Sequence, residues 1–245
     1  MGNFLRRTIV FAALLLTITA QANVVISGTR IIYNADENEA TIRLNNNSVQ
    51  PSLVQVWLDS GDMKSTPETG LAPFIATPPI FRVEPNKSQT VRLIYTHDPL
   101  PQDRESVFWL NILDVPPMPI TKEADDANYM QLAIRSRIKL FYRPKNLPGS
   151  APAAADQVKW ELVHNPDGIA LRATNNAVYI VSMDNAVLVA EKKEYTVNTE
   201  MLLPLSSKTF SIQEVGKLPG GTVQLNYATV NDYGAVIAHS VNLPQ

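Results

Sequence analysis

Residues 100–116 read LPQDRESVFWLNILDVP, and the texture of this stretch decides the fold class. From Val107 to Leu113 the chain is rich in β-branched and aromatic side chains, the composition of a half-buried strand. The acid–base–acid run Asp103, Arg104 and Glu105 stands where that strand begins, and Pro116 closes the segment. Taken alone, the charged tripeptide fits a solvated turn. Working outward, segments of the same length and composition recur at Ala40–Leu44, Leu53–Leu58, Thr90–Tyr95, Met130–Tyr142, Val158–His164, Ile169–Thr174 and Val223–Val230, separated by Pro, Gly, Asn and Asp clusters. Almost nothing repeats at the helical period over ten or more residues, so the chain is expected to be all-β, built as antiparallel sandwiches.

The N-terminus carries Arg6 and Arg7, an apolar run from Thr8 to Thr19, and the small-x-small sequence Ala20-Gln21-Ala22. This is the pattern of an export signal cleaved near Ala22, so residues 1–22 are set aside as a signal peptide and the mature chain is expected to start near Asn23. The apolar run falls short of the roughly 20 residues that span a bilayer. An exported chain of 245 residues without a single cysteine has to fold on packing and hydrogen bonding alone. The formal charge of −2 offers no broad cationic face for nucleic acid.

The stretch PKNLPGSAPAAAD, Pro144 to Asp156, combines three prolines with small residues and has no strand pattern. It reads as a connection over 145–157 between domains at 23–144 and 158–245, each compatible with a seven-stranded sandwich. The acidic sequence at Ile120–Asn128 reads as a solvated loop. In the strand that follows, Met130, Leu132, Ile134 and Ile138 fall on one face and Gln131, Arg135, Arg137 and Lys139 on the other. By itself this is an ordinary half-buried strand. Lone cations such as Arg30 are ordinarily solvated. His97, His164 and His239 are isolated, so no metal site is expected, and there is no G-x-S-x-G elbow or phosphate-cradling glycine loop to suggest catalysis.

The Leu100–Pro116 stretch resembles the signature of periplasmic pilus chaperones, the PapD-like family. Further matches follow in family order: GTRIIY at Gly28–Tyr33, ATPPIFRVEP at Ala76–Pro85, VRLIY at Val91–Tyr95, IKLFYRP at Ile138–Pro144 and NDYG at Asn231–Gly234. The resemblance implies two Ig-like β-sandwich domains set at an angle around a cleft. It implies a non-enzymatic chaperone without cofactor that acts in the periplasm, lends a strand to incomplete pilus subunits and passes them to an outer-membrane usher. On matched positions, Arg30 and Lys139 would anchor the subunit's C-terminal carboxylate. Met130, Leu132 and Ile134 would be the donated side chains, and Arg92, Glu105, Arg143 and Asp232 would form an ionic network between the domains. The connection from Leu113 to Met130 looks like that of the short-loop group, and self-association into a capped dimer would protect the free edge. Two rival readings are a fimbrial surface subunit, which would contain a strand-deficient domain, and a periplasmic hydrolase, which would turn over substrate without a protein partner.

Overall fold

The structure, a computed structural model, describes residues 24–118, 131–165, 168–191, 193–213 and 223–244. The expected signal segment and the acidic loop lie outside them. The described residues form two sandwiches, each with its own core. In the first, strands β1 (Val24–Ile26), β3 (Ala40–Asn46), β7 (Ser88–Tyr95) and β5 (Phe74–Thr77) make a sheet in the order β1-β3-β7-β5. The facing sheet contains β2 (Arg30–Asn34), β9 (Ile134–Arg143), β8 (Ser106–Val115), β4 (Ser52–Asp59) and β6 (Ile80–Val83), in the order β2-β9-β8-β4-β6. Period-two alternation decides which side chains enter. Ile42, Leu44, Val91 and Leu93 from one sheet meet Val54, Val56, Leu110, Ile112 and Leu140 from the other. Phe74 stands edge-on to Phe108 and Tyr33, at centroid distances of 5.2 and 5.3 Å.

The second sandwich pairs β10 (Lys159–Asn165), β11 (Gly168–Asn175) and β14 (Ser206–Ser211) against β13 (Lys193–Thr196), β12 (Met183–Ala190), β15 (Val223–Val230) and β16 (Val236–Leu243). Trp160, Leu171, Leu188, Phe210 and Leu225 fill it. Among the described residues this sandwich has seven strands and the first has nine. Its opening strand divides at Gly28, whose φ of 119° favours glycine, so that β1 and β2 join opposite sheets. The Pro78-Pro79 pair similarly separates β5 from β6, since proline cannot donate to a ladder.

Part of the stretch expected to be a patternless connection is a short helix, α1 (Ala151–Asp156). The Ser150 hydroxyl accepts from the Ala153 amide at 3.3 Å, and a proline stands in the first turn, where its missing N–H costs nothing. The alanines that looked featureless are good helix formers.

The outward face of the five-stranded sheet is not simply solvated. Asp59, at the end of β4, is fully buried there and receives Arg137 from β9, Asn111 from β8 at 2.7 Å, Ser65 at 3.1 Å and the Gly61 amide at 2.7 Å. Burial pulls its carboxyl upward, but these donors outweigh burial and hold it below the ordinary range. A depressed carboxyl contributes stability that is present above its unfolded pKa, about 3.9, and is lost as pH falls through the native value. Asp59→Asn should therefore lower stability at pH 7 by about 1.5–3 kcal/mol, the scale of hydrogen bonds to a charged group. It should also flatten the loss of stability in acid, as followed by urea unfolding between pH 7 and pH 3. An unchanged acid limb would reject the assignment.

Candidate functional site

The site lies where the two sandwiches meet. Strands β2 and β9 run parallel, and their register places Arg30 opposite Lys139, so both side chains leave the same outward face of the sheet. Two distant cations thus become neighbours. Arg30 donates from Nη1 to the Val230 carbonyl of the second sandwich at 2.8 Å, and its guanidinium stands 6.0 Å from the centre of the Phe141 ring. Its Nε is buried without a partner. Burial lowers the pKa of both cations; for Lys139 the adjacent Arg30 charge lowers it further, while Asp232 partly offsets the effect on Arg30. Among the described residues neither makes an ion pair. Two partly desolvated positive groups side by side suit an anionic partner.

A cavity of about 210 Å³ adjoins Arg30 and Phe141, with Ile180, Thr229, Asp232 and His239 of the second sandwich among its walls. Its shape depends on how the domains are joined, and that join is ionic. Arg143, the last residue of β9, donates to Glu105 at 2.6 Å and in a bidentate fork to Asp232 at 2.9 and 3.1 Å. Glu105 also accepts from the Ile180 amide at 2.8 Å, and its own amide donates to the Val178 carbonyl at 2.9 Å. Glu105 is almost wholly buried, which raises its pKa against the pull of Arg143. Burial also opposes the charge on Arg143, but the two carboxylates outweigh it and hold the guanidinium firmly protonated.

Three of the four residues expected in the network therefore meet. Arg92 does not. It lies on β7, in the opposite sheet, between buried Val91 and Leu93, so alternation sends it to solvent, where it meets Glu39 at 3.5 Å. Sequence reasoning also missed the backbone partners Ile180, Val178 and Val230. It missed the close approach of Gly234, where a β-carbon would stand 2.7 Å from the Thr29 hydroxyl. The NDYG motif carried the signal for that contact: at φ 82° a glycine lets the loop rest against GTR of the first sandwich.

Of the expected donor residues, Met130 lies outside the described residues. Leu132 is 67 % exposed, and Ile134, which opens β9, is 51 % exposed. β8 pairs with β9 from Ile134 to Tyr142, but β2 flanks it only from Lys139 to Arg143. Among the described residues, 134–138 consequently present a backbone edge with no strand beside it, ending at the two cations. Of the histidines, His239 contacts Asp156 of α1 at 3.3 Å and Thr229 at 2.9 Å, and His97 packs on Tyr95 with ring centres 5.0 Å apart. Among the described residues no cluster is arranged to hold a metal ion.

Comparison with known proteins returns two adjoining family matches. Residues 23–148 match "Pili and flagellar-assembly chaperone, PapD N-terminal domain", and residues 153–241 match "Pili assembly chaperone PapD, C-terminal domain". The chain is 39 % identical over 224 residues to the probable fimbrial chaperone YadV of Escherichia coli K12, covering 91 % of this chain and 90 % of that one. It is 35 % identical to the chaperone protein MrkB of Klebsiella pneumoniae over 98 % of this chain and all of the other. Among solved structures, the YadV chaperone superposes with a TM-score of 0.77 at 37 % identity, covering 91 % of this chain and 100 % of that one. A chain in the complex of the Salmonella enterica SafA pilin with the SafB chaperone gives 0.73 at 26 % identity, covering 91 % and 97 %.

Proposed function

The chain belongs to the PapD-like family of fimbrial assembly chaperones of the chaperone–usher pathway, and from that membership we propose that it holds pilus subunits by pairing their C-terminal strand along the free half of β9. The observation that carries the proposal is that, among the described residues, the edge at 134–138 has no neighbouring strand and ends at Arg30 and Lys139, which make no ion pair there. A subunit carboxylate bound by these cations would offset the mutual repulsion of the two charges. Because β2 begins at Arg30 on the same side of β9, a client strand along 134–138 would lie end to end with β2 and, with its carboxylate at Lys139, parallel to β9. Its backbone would complete the unpaired ladder. Leu132 and Ile134, with Met130 beyond them, would enter the client's groove; each such burial stabilises the complex by roughly 1.5–3 kcal/mol before ordering costs.

The remaining features of this reading follow the family. The mature chain would act in the periplasm after removal of residues 1–22, as domains 23–144 and 158–245 about the connection at 145–157. It would deliver its clients to an outer-membrane usher. Without a client, self-association would cover the apolar edge. No chemical step is needed, since strand exchange makes and breaks only hydrogen bonds and packing.

The test is periplasmic co-purification of the tagged chain with candidate pilins, comparing wild type with Ile134→Asp. The variant should fold normally, because Ile134 is half exposed in the free chain, yet lose the pilin, because the new carboxylate would be buried unpaired in the complex. A variant that retains pilin as well as wild type would defeat the edge assignment. A wild-type chain that never retains pilin would defeat capture itself and favour a surface-subunit role.

A further inference from the structure

The outward side of β9 carries two arginines that subunit capture, as proposed above, leaves unused, and both are built into the sheet. Arg135 donates to the Asn111 side-chain carbonyl at 2.7 and 3.1 Å, to the Ser65 hydroxyl at 3.2 Å and to the Met63 carbonyl at 3.1 Å, with its guanidinium 4.8 Å from the centre of the Trp57 ring. Arg137 grips the buried Asp59 with both Nε and Nη2 and stacks over Trp109 at 4.7 Å. The set is closed. Asn111 gives its amide to Asp59 and its carbonyl to Arg135, while Ser65 donates to Asp59 and accepts from the Trp57 indole at 3.2 Å.

This cluster addresses a problem specific to a half-free strand. Among the described residues β9 has one neighbour between Ile134 and Ile138, β8, so in that half a single ladder opposes local slippage, whereas β2 adds a second from Lys139 onward. A slip of one residue is excluded by alternation, because it would send Ile138 outward and Arg137 into the core. A slip of two preserves the faces and moves each side chain about 7 Å along the strand, so hydrophobic patterning does not resist it. The two arginines do. Sliding one way puts Ala133 where Arg135 stands, leaving Asn111, Ser65 and Met63 without their donor. Sliding the other way puts Lys139 against Asp59, where a point charge replaces a planar fork.

We propose that Arg135 and Arg137 are positioning residues that fix the register of the lent edge, so that its apolar side chains lie at a set distance from the carboxylate anchor. This rests on the capture reading for its purpose, but its test needs no client. Because the chain has no cysteine, introduced pairs report register directly. Ser136→Cys with Ile112→Cys joins residues opposite each other in the native register, whereas Ser136→Cys with Asp114→Cys or Leu110→Cys joins residues offset by two. Under mild oxidation and peptide mass spectrometry, only the native pair should cross-link when both arginines are present. With Arg135→Ala, and separately Arg137→Lys, an offset pair should form to a comparable extent, while melting of the variants without introduced cysteines remains cooperative. If the native pair stays the sole cross-linked pair in both variants, the arginines only stabilise the sheet and the inference falls. Failure of the wild-type chain, in its native register, to capture pilin would count against the capture reading alone.

Discussion

Replacing Arg143 by alanine should be among the most damaging single changes in the chain, lowering stability by about 3–5 kcal/mol. The reason is what remains. Glu105 would keep the Ile180 amide but lose its counter-charge in a site almost closed to water, and Asp232 would lose its bidentate partner. Breaking a buried pair by removing one member leaves an uncompensated charge, which costs more than the pair itself contributes. Calorimetry should register this as a fall in melting temperature together with separation of a single transition into two, because the same residues join the sandwiches. The pH dependence has a definite sign. Burial already raises the Glu105 pKa, so its contribution is fully present below the unfolded pKa and is lost as pH rises through the native one. Without Arg143 that pKa rises further, and the variant should recover stability on mild acidification. A variant whose deficit is unchanged on acidification and whose melting stays a single transition would overturn the assignment.

The second large effect concerns binding rather than folding. If Arg30 and Lys139 anchor the client as proposed, Arg30→Ala and Lys139→Ala should each weaken pilin retention by the equivalent of about 1.5–3 kcal/mol, since each would remove hydrogen bonds to its carboxylate. That corresponds to roughly ten- to over a hundred-fold in affinity, with larger loss in the double variant. Stability should move differently. Lys139 is held below its ordinary pKa by burial and then by Arg30, so the folded state disfavours its charge, and Lys139→Met should melt at the same temperature as wild type or higher. A variant that is more stable and binds less well separates an anchor from a structural residue. Equal retention by stably folded single and double variants would show that the client's carboxylate is held elsewhere.

The alternation in β3 and β7 makes the first core legible in the sequence, because each buries one face at a period of two, while β4, β8 and β9 keep that inward set but also bury consecutive residues where something covers their outer face. β12 and β16 escape that reading. The sequence of β16, VIAHSVNL, leaves its first three residues exposed at a sheet edge and interrupts the face of Val241 and Leu243 with His239, so its apolar face is short and broken. Family resemblance brought Arg30 and Lys139 together before the structure supplied the parallel register responsible, which spans more than a hundred residues of chain. The same resemblance misassigned Arg92, where local alternation on β7 was the better guide. Nothing in the local sequence marks Asn111 and Asp59 as buried. Only the fold, by laying Ser65 and the arginines of β9 over them, makes them buried.

The ten residues of β9 hold the edge and the cation to which capture is assigned in the proposal and, at Arg143, the tie to the second domain. From Lys139 back to Ile134 is five residues, about 17 Å of extended chain. A client gripped by its terminal carboxylate is therefore measured from its last residue, and its apolar side chains must fall at alternate places counted backward from that end. A subunit clipped by a single residue would offer its polar face, and one whose synthesis had stalled would have no carboxylate at the required place. Under this geometry, holding a subunit also inspects it, and only chains finished to their last residue would be passed on.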